Sequence, residues 1–474
     1  MTFPFSRLRW SFLLLLGSVC AARPLSSPEA AERLAALEAK IQATAAELNS
    51  LQTEVVALRA AMATETPPPA AADRSRETVV APPPARPPSP APASAQDRTI
   101  GRFPDAAVVT AGTWPQSITI PGTTLAMRIG GFAQADLIVD EGDMATPDIF
   151  FVRAIDEQTA RDEFLVTARA TRLNLEVRGE LNARPFRVFA EADFRGETGN
   201  ELISNSTNLR LRHAFGQYGD FYAGQWWSAF TNVQAFPETV DIISPVGKPV
   251  TRQAGVRYAP WVTDAWRVGL SLENPEADVF QLPQDPGDSL DLGPDLIAFA
   301  RYQHERGHIR LALLGRQLGW TDGQREAETL GYGASLTLRQ HMPWRGARDN
   351  VVFGVHGGEG IGRYLVNLAG GGFDAVPSAN DLETLWAWAA YGGYQHWWSP
   401  RWRSTVTFGT LALESQPGPA ATQLRRLSSG TLNLFWNPHP RVTFGGELLY
   451  GVRESRDGAT ASAARAHFLA RFGF

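Results

Sequence analysis

From about Thr124 to Phe474, apolar and polar residues alternate in short runs, and the connections between runs alternate short and long. Period two is clean at Phe186, Val188, Ala190, Ala192 and Phe194 against Arg187, Phe189, Glu191, Asp193 and Arg195. It recurs at Trp266, Val268, Leu270 and Leu272 against Arg267, Gly269, Ser271 and Glu273. Successive side chains of a strand point to opposite faces, so each run carries one apolar and one polar face. Sixteen such strands are predicted: 124–140, 164–181, 185–196, 209–218, 220–227, 252–260, 264–273, 295–305, 308–318, 328–340, 349–357, 383–397, 401–413, 424–437, 441–453 and 462–474. The short connections carry chain breakers, at Asn182 to Pro185, Gly219-Asp220, Arg306-Gly307, Ser399-Pro400 and Pro438 to Pro440. The long ones include 141–163, 228–251, 274–294 and 358–382. An even number of antiparallel strands with tight turns at one end and long loops at the other describes a transmembrane β-barrel. The competing fold, a soluble antiparallel sandwich or solenoid, does not require this rhythm.

In the first strand Leu125, Met127, Ile129, Leu137 and Val139 take the lipid phase, and Arg128, Gln134 and Asp136 the lumen phase. Arg169 and Arg172 are an odd number apart, so a single phase cannot hold both, and a bulge is expected near Ala170-Thr171. The chain stops on a strand ending in Phe474, and an aromatic closing the last strand is familiar in such barrels.

The segment ahead of the barrel reads differently. Arg7 and Arg9, an apolar stretch from Trp10 to Val19 and small residues at Val19 to Ala22 predict a signal peptide over 1–22. Cleavage there removes Cys20, the only cysteine; lipidation of Cys20 is the alternative. Over 30–62 Leu34, Ile41, Leu48, Val55 and Met62 sit at one heptad position, and Leu37, Thr44, Leu51 and Leu58 at another. A strict seven-residue repeat makes a coiled-coil seam, with dimer and trimer both open. A lone amphipathic helix packed on the barrel is the plainer reading. Residues 63–115 are rich in Pro and Ala, cannot bury a core, and predict a linker.

Composition narrows the function. The net charge of −5 argues against a nucleic-acid partner. No apolar run reaches eighteen residues, which excludes helical spans, whereas alternating strands hide their hydropathy. The lumen phases collect Arg172, Arg178, Arg187, Arg195, Arg210, Arg212, Arg257, Arg267, Arg301, Arg310 and Arg316, with Glu176, Glu191 and Asp193 in the same phases. Of these, Arg172, Arg178, Arg187, Arg210, Arg212, Arg257 and Arg267 are the pore candidates. Guanidinium stays charged, and a ring of such groups in a narrow lumen favours anions. The bland alternative is that each arginine pairs with a wall carboxylate and only stiffens the barrel. The loop 228–251 is too apolar for open water. Folding inward would bury Phe236, Ile242 and Val246 and set Glu238 and Asp241 opposite the arginines. The eight histidines are scattered, with no HExxH, no G-x-S-x-G and no phosphate loop, so no catalytic, metal or cofactor site is expected. His304 and His308 flank a turn and are expected to serve it.

Several motifs resemble the DcaP-like outer-membrane porins: Leu209-Arg210-Leu211-Arg212-His213-Ala214-Phe215-Gly216, Ala223-Gly224-Gln225-Trp226, Pro237-Glu238-Thr239-Val240-Asp241 and Arg252-Gln253. The order of signal, coil, linker and barrel is similar too. The resemblance implies a homotrimeric sixteen-stranded channel in the bacterial outer membrane, passing small anionic solutes, dicarboxylates especially, with no cofactor and with the coil and linker in the periplasm. Two rivals are a closed barrel that tethers through its coil and a membrane-embedded hydrolase; conductance and an ester-hydrolysis assay separate them.

Overall fold

The computed structural model describes residues 110–144, 148–156, 162–196, 199–200, 206–281, 287–342, 348–378 and 381–474. The signal peptide, the coil seam of Leu34, Leu37, Ile41, Leu48, Leu51, Val55 and Leu58, and the linker as far as residue 109 lie outside the described residues.

The alternating runs form sixteen antiparallel strands. β1 is Ala126–Glu141, and β2 comes in two pieces, Glu163–Thr167 and Arg172–Leu181. Then follow β3 Arg184–Asp193, β4 Arg210–Tyr218, β5 Phe221–Trp227, β6 Arg252–Tyr258, β7 Trp266–Glu273 and β8 Asp295–His304. The second half is β9 Gly307–Thr321, β10 Glu326–His341, β11 Asn350–Glu359, β12 Trp386–Trp397, β13 Trp402–Leu413, β14 Leu424–His439, β15 Val442–Ser455 and β16 Thr460–Gly473. Each strand pairs with the next, and β16 returns to β1 in register from Phe132↔Gly473 to Glu141↔Ala464. Closure matters because hydrocarbon offers no water to satisfy an open strand edge. Two short pieces, Ile118–Thr119 and Asp288–Leu290, add to the ladder at its rims.

The break in β2 falls at 168–171, where the odd spacing of Arg169 and Arg172 predicts a bulge. Thr171 fills the gap: its Oγ1 accepts from the Gln134 N–H at 3.1 Å and donates to the Gln134 carbonyl at 3.3 Å. β9 and β10 run longer than the sequence suggests, to Thr321 and from Glu326, because their polar tips keep pairing beyond the apolar run.

Ile129, Leu313, Leu330, Phe408, Leu432 and Leu448 are exposed on the outer face, while Gln134, Asp136, Thr337, Thr405 and Asn433 are buried inside. At the turn end Trp402, Trp436, Phe444 and Phe472 form an aromatic belt across β13–β16, with ring centroids 5.5, 5.5 and 6.3 Å apart. Such girdles mark the membrane interface.

A sixteen-stranded barrel leaves a lumen wide enough for water. Here three connections from the loop end enter it. Phe150 and Val152 of the first, Phe230 and Val246 of the third, and Tyr364, Leu365 and Leu368 of the sixth are buried together against wall residues such as Leu314 and Leu411. At the turn end residues 110–125 fold back on β1, with Ala111 bridged to Ile118 and Ile118 paired with Met127.

Candidate functional site

The third loop, residues 228–251, leaves β5 and crosses the lumen. Its start is tied beside β7 and β10: the Ala229 N–H donates to Glu273 Oε1 at 2.7 Å, and Asn232 donates to Thr337 at 2.8 Å. Its far half lies on β12–β15. The Val240 N–H donates to Glu447 at 2.7 Å and the Val246 N–H to Ser429 at 2.9 Å. The Phe236 ring meets Tyr391 edge-on at 5.9 Å. The wall makes room with glycines: a Cβ at Gly409 would strike the Val246 carbonyl, and one at Gly393 would come within 2.8 Å of Pro237. Inward folding thus follows the expectation from apolarity, though only Val246 is fully buried while Phe236 and Ile242 are half-buried.

The two acidic residues of this loop do not share one role. Glu238 accepts a two-pronged bond from Arg403, at 2.6 and 2.5 Å, and another from Gln395 at 2.6 Å. A cavity of about 210 Å³ lies alongside, lined by Phe236, Glu238, Arg339, Asn350 and Gln395 among others. Asp241 departs from the sequence expectation. Its carboxylate is buried at 1% exposure. It accepts N–H bonds from Phe150, Ile243 and Ser244 at 2.9, 3.0 and 2.9 Å. It holds the first and third loops together, since a carboxylate that orders this much main chain must sit among it, and the guanidinium that acts on it is Arg465 of β16 rather than an arginine of β2–β7.

The candidate arginines line the opposite wall, β2–β7, in small groups around carboxylates. Arg178 and Arg187 both reach Glu176 Oε1, at 2.7 and 2.6 Å, and Arg128 reaches its other oxygen at 3.2 Å. Arg210 and Arg212 share Asp193 Oδ2 at 2.8 and 2.7 Å. Arg212 also pairs with Glu191 at 2.7 Å, and Arg172 approaches Glu191 at 3.8 Å. Arg257 pairs with Glu273 at 3.2 Å. Among the described residues Arg267 donates to neutral oxygens alone, the Ala259 carbonyl at 3.0 Å and the Tyr222 hydroxyl at 2.9 Å. Arg172, Arg210 and Arg212 come together at the loop end; Arg178 and Arg187 sit nearer the turns. Of the other lumen-phase arginines, Arg316 is buried and bound to Asp295 and Asp374 at 3.3 and 2.8 Å, where it anchors the sixth loop. Arg195 lies 3.7 Å from Asp148 in the first loop. His304 serves its turn, accepting from the Arg306 N–H at 3.3 Å, whereas His308 faces the lumen within 3.0 Å of Asn232.

Sequence phase misses Arg252 and Arg403. Arg252 is an odd number of residues from Arg257 and so falls in the lipid phase. At the first residue of β6, paired with Trp227, its guanidinium instead lies over the Trp227 ring at 4.6 Å, within electrostatic reach of Arg172, Arg210 and Arg212. Among the described residues it has no carboxylate partner. Arg403 carries a readable signal, the alternation of β13, but its partner Glu238 is 165 residues away. At the turn end Trp114 lies between two lumen arginines, with Arg128 at 4.8 Å and Arg178 at 4.7 Å from its ring. Residues 110–114, the end of the predicted linker, thus form part of the mouth.

A closed sixteen-stranded barrel with an apolar skin, an aromatic belt and loops folded into a polar lumen is an outer-membrane porin. The family described as DcaP outer membrane protein matches residues 156–474, and the chain belongs to it. The crystal structure of the outer membrane channel DcaP of Acinetobacter baumannii superposes with a TM-score of 0.65 at 21% identity, covering 74% of this chain and 97% of that one. An anion-selective porin from Comamonas acidovorans superposes with a TM-score of 0.51 at 10% identity, over 74% of this chain and 100% of that one. At these identities the likeness is one of fold. No curated protein matches the chain.

Proposed function

We propose that this porin is a passive channel with a preference for small anions, dicarboxylates among them. The supporting observation is the asymmetry of the lumen. On β2–β7 arginines outnumber the carboxylates Glu176, Glu191, Asp193 and Glu273, and Arg252 and Arg267 have no acidic partner among the described residues. The third loop covers the facing wall, so a solute passes the arginines at short range. Fixed positive charge in a confined lumen lowers the barrier for an anion and raises it for a cation. The bland alternative weakens here, because pairing leaves a positive excess. Reversal potential in a salt gradient tests the proposal. Replacing Arg210 and Arg212 together by Ala strips Asp193 of both its ion-pair partners and leaves Glu191 only Arg172, and is expected to move the potential toward cations and to weaken dicarboxylate block. An unchanged potential in a correctly assembled channel would make these two arginines wall struts.

We also infer a homotrimer with the coil of residues 30–62 in the periplasm, supported by the heptad seam and the family. Leu51→Asp with Leu58→Asp is expected to abolish cross-linking of the isolated segment, and unchanged cross-linking would remove the coil. The tethering rival draws on the apolar cluster that three loops build inside the barrel. It predicts no unitary conductance in planar bilayers.

A further inference from the structure

We propose a second anion-binding station at the turn end of the lumen, formed by Arg267 and Arg301 with Arg339 beside them, that takes a dicarboxylate on its way between pore and periplasm. It rests on the anion-channel reading above and adds a site to it. The observation is one of register. Arg267 of β7 lies directly opposite Arg301 of β8, and Arg301 directly opposite Arg310 of β9. Neighbouring strands are about 4.8 Å apart, and like charges directly opposed across a ladder are destabilising. On β2–β6 the same problem is relieved by carboxylates interleaved among the arginines. In this row none lies within ion-pair distance among the described residues.

The guanidinium groups are instead held by neutral oxygens that a solute can replace. Arg301 donates to Gln303 Oε1 at 2.6 Å and to the side-chain oxygen of Gln234. Arg339 donates to the main-chain oxygen of Gln234 at 3.2 Å. Gln234 is exposed in the helical turn Val233–Ala235 of the third loop, so one neutral residue holds two guanidinium groups, one by its side chain and one by its main chain. Arg301 Nε is buried with no hydrogen-bond partner among the described residues. Arg310 is buried under the loop, bound to the Ala229 carbonyl, and contributes field without contact. Arg267, Arg301 and Arg339 are half-exposed. Two forks one strand apart match a solute with two carboxylates better than one with a single charge, because each fork can take one carboxylate through two N–H bonds. Arg267 is the second residue of β7 and Arg301 is three residues from the end of β8, which places the station on the periplasmic side.

The test is current block by succinate added to either side of the full-length channel in planar bilayers. Arg267→Gln with Arg301→Gln is expected to raise the dissociation constant for turn-side block by at least about tenfold, since one lost charge-assisted hydrogen bond alone accounts for that much, with the sign of the salt-gradient reversal potential kept by the arginines of β2–β6. Gln234→Glu is the companion variant. It removes no arginine, is near-isosteric at an exposed position, and is expected to weaken turn-side block comparably by occupying Arg301 with a fixed carboxylate. Turn-side block unchanged in both variants, while Arg210→Ala with Arg212→Ala does weaken block, overturns the second station alone. A wild-type channel that prefers cations and is not blocked from either side overturns it together with the anion-channel reading.

Discussion

Glu238 and Asp241 are three residues apart on one loop, yet they call for opposite experiments. Glu238 neutralises Arg403 of β13 at 2.5 Å, between loop and wall, with its carboxylate partly exposed. Glu238→Gln leaves that guanidinium unpaired, so the reversal potential is expected to move toward anions; adding Arg403→Gln is expected to return it most of the way. A shift that the second change does not reverse would mean that the pair is not the source. Asp241→Asn removes the charge that orders three backbone N–H groups. Buried bonds of this kind are worth about 1–3 kcal/mol once a partner is lost. The expected outcome is a noisier current and a lower midpoint for heat-induced unfolding, with ion preference unchanged. Alternation exposed the arginines of β2–β7 because strand geometry is local. It had no means of separating these two carboxylates, since loop residues have no period, the partners of Glu238 lie on distant strands and those of Asp241 are main-chain groups of two loops.

At the scale of elements, the third loop decides the bore. Its apolarity shows that it belongs inside, but its seat depends on the shape of the wall. Gly409 allows the Val246 carbonyl to lie flat on β13. Gly409→Val is expected to lift the loop from its seat, at a cost of about 1–3 kcal/mol for overpacking, and to change unitary conductance and its steadiness while the barrel still forms. Conductance identical to the parent channel would show that the loop is held elsewhere, by Glu447 and Ser429. The β2 break behaves differently. Its position was readable, because a clash of phase between Arg169 and Arg172 can be resolved only by adding or dropping a residue from the ladder.

At the scale of the whole molecule, closure joins the two ends of the barrel. β16 pairs with β1 over ten residues, starting at Gly473 opposite Phe132. Removing Phe472 to Phe474 exposes the turn-side end of β1 and takes Phe472 from the aromatic belt, where it meets Phe444 at 6.3 Å. In lipid those backbone groups find no water, so the heat-modifiable folded band is expected to be lost or greatly reduced; normal folded bands would show that β1 and β15 hold the barrel without that corner. The strand count, the short and long connections and the lipid and lumen faces were determined by the sequence alone. The physical reason is that period two and turn chemistry act over a few residues and the bilayer punishes every exception. The tertiary structure alone decided which arginines keep a carboxylate, where Glu238 and Asp241 end, and that Arg267, Arg301 and Arg310 share one row. Each of these depends on register between strands or on contacts across more than a hundred residues, and no local pattern encodes either.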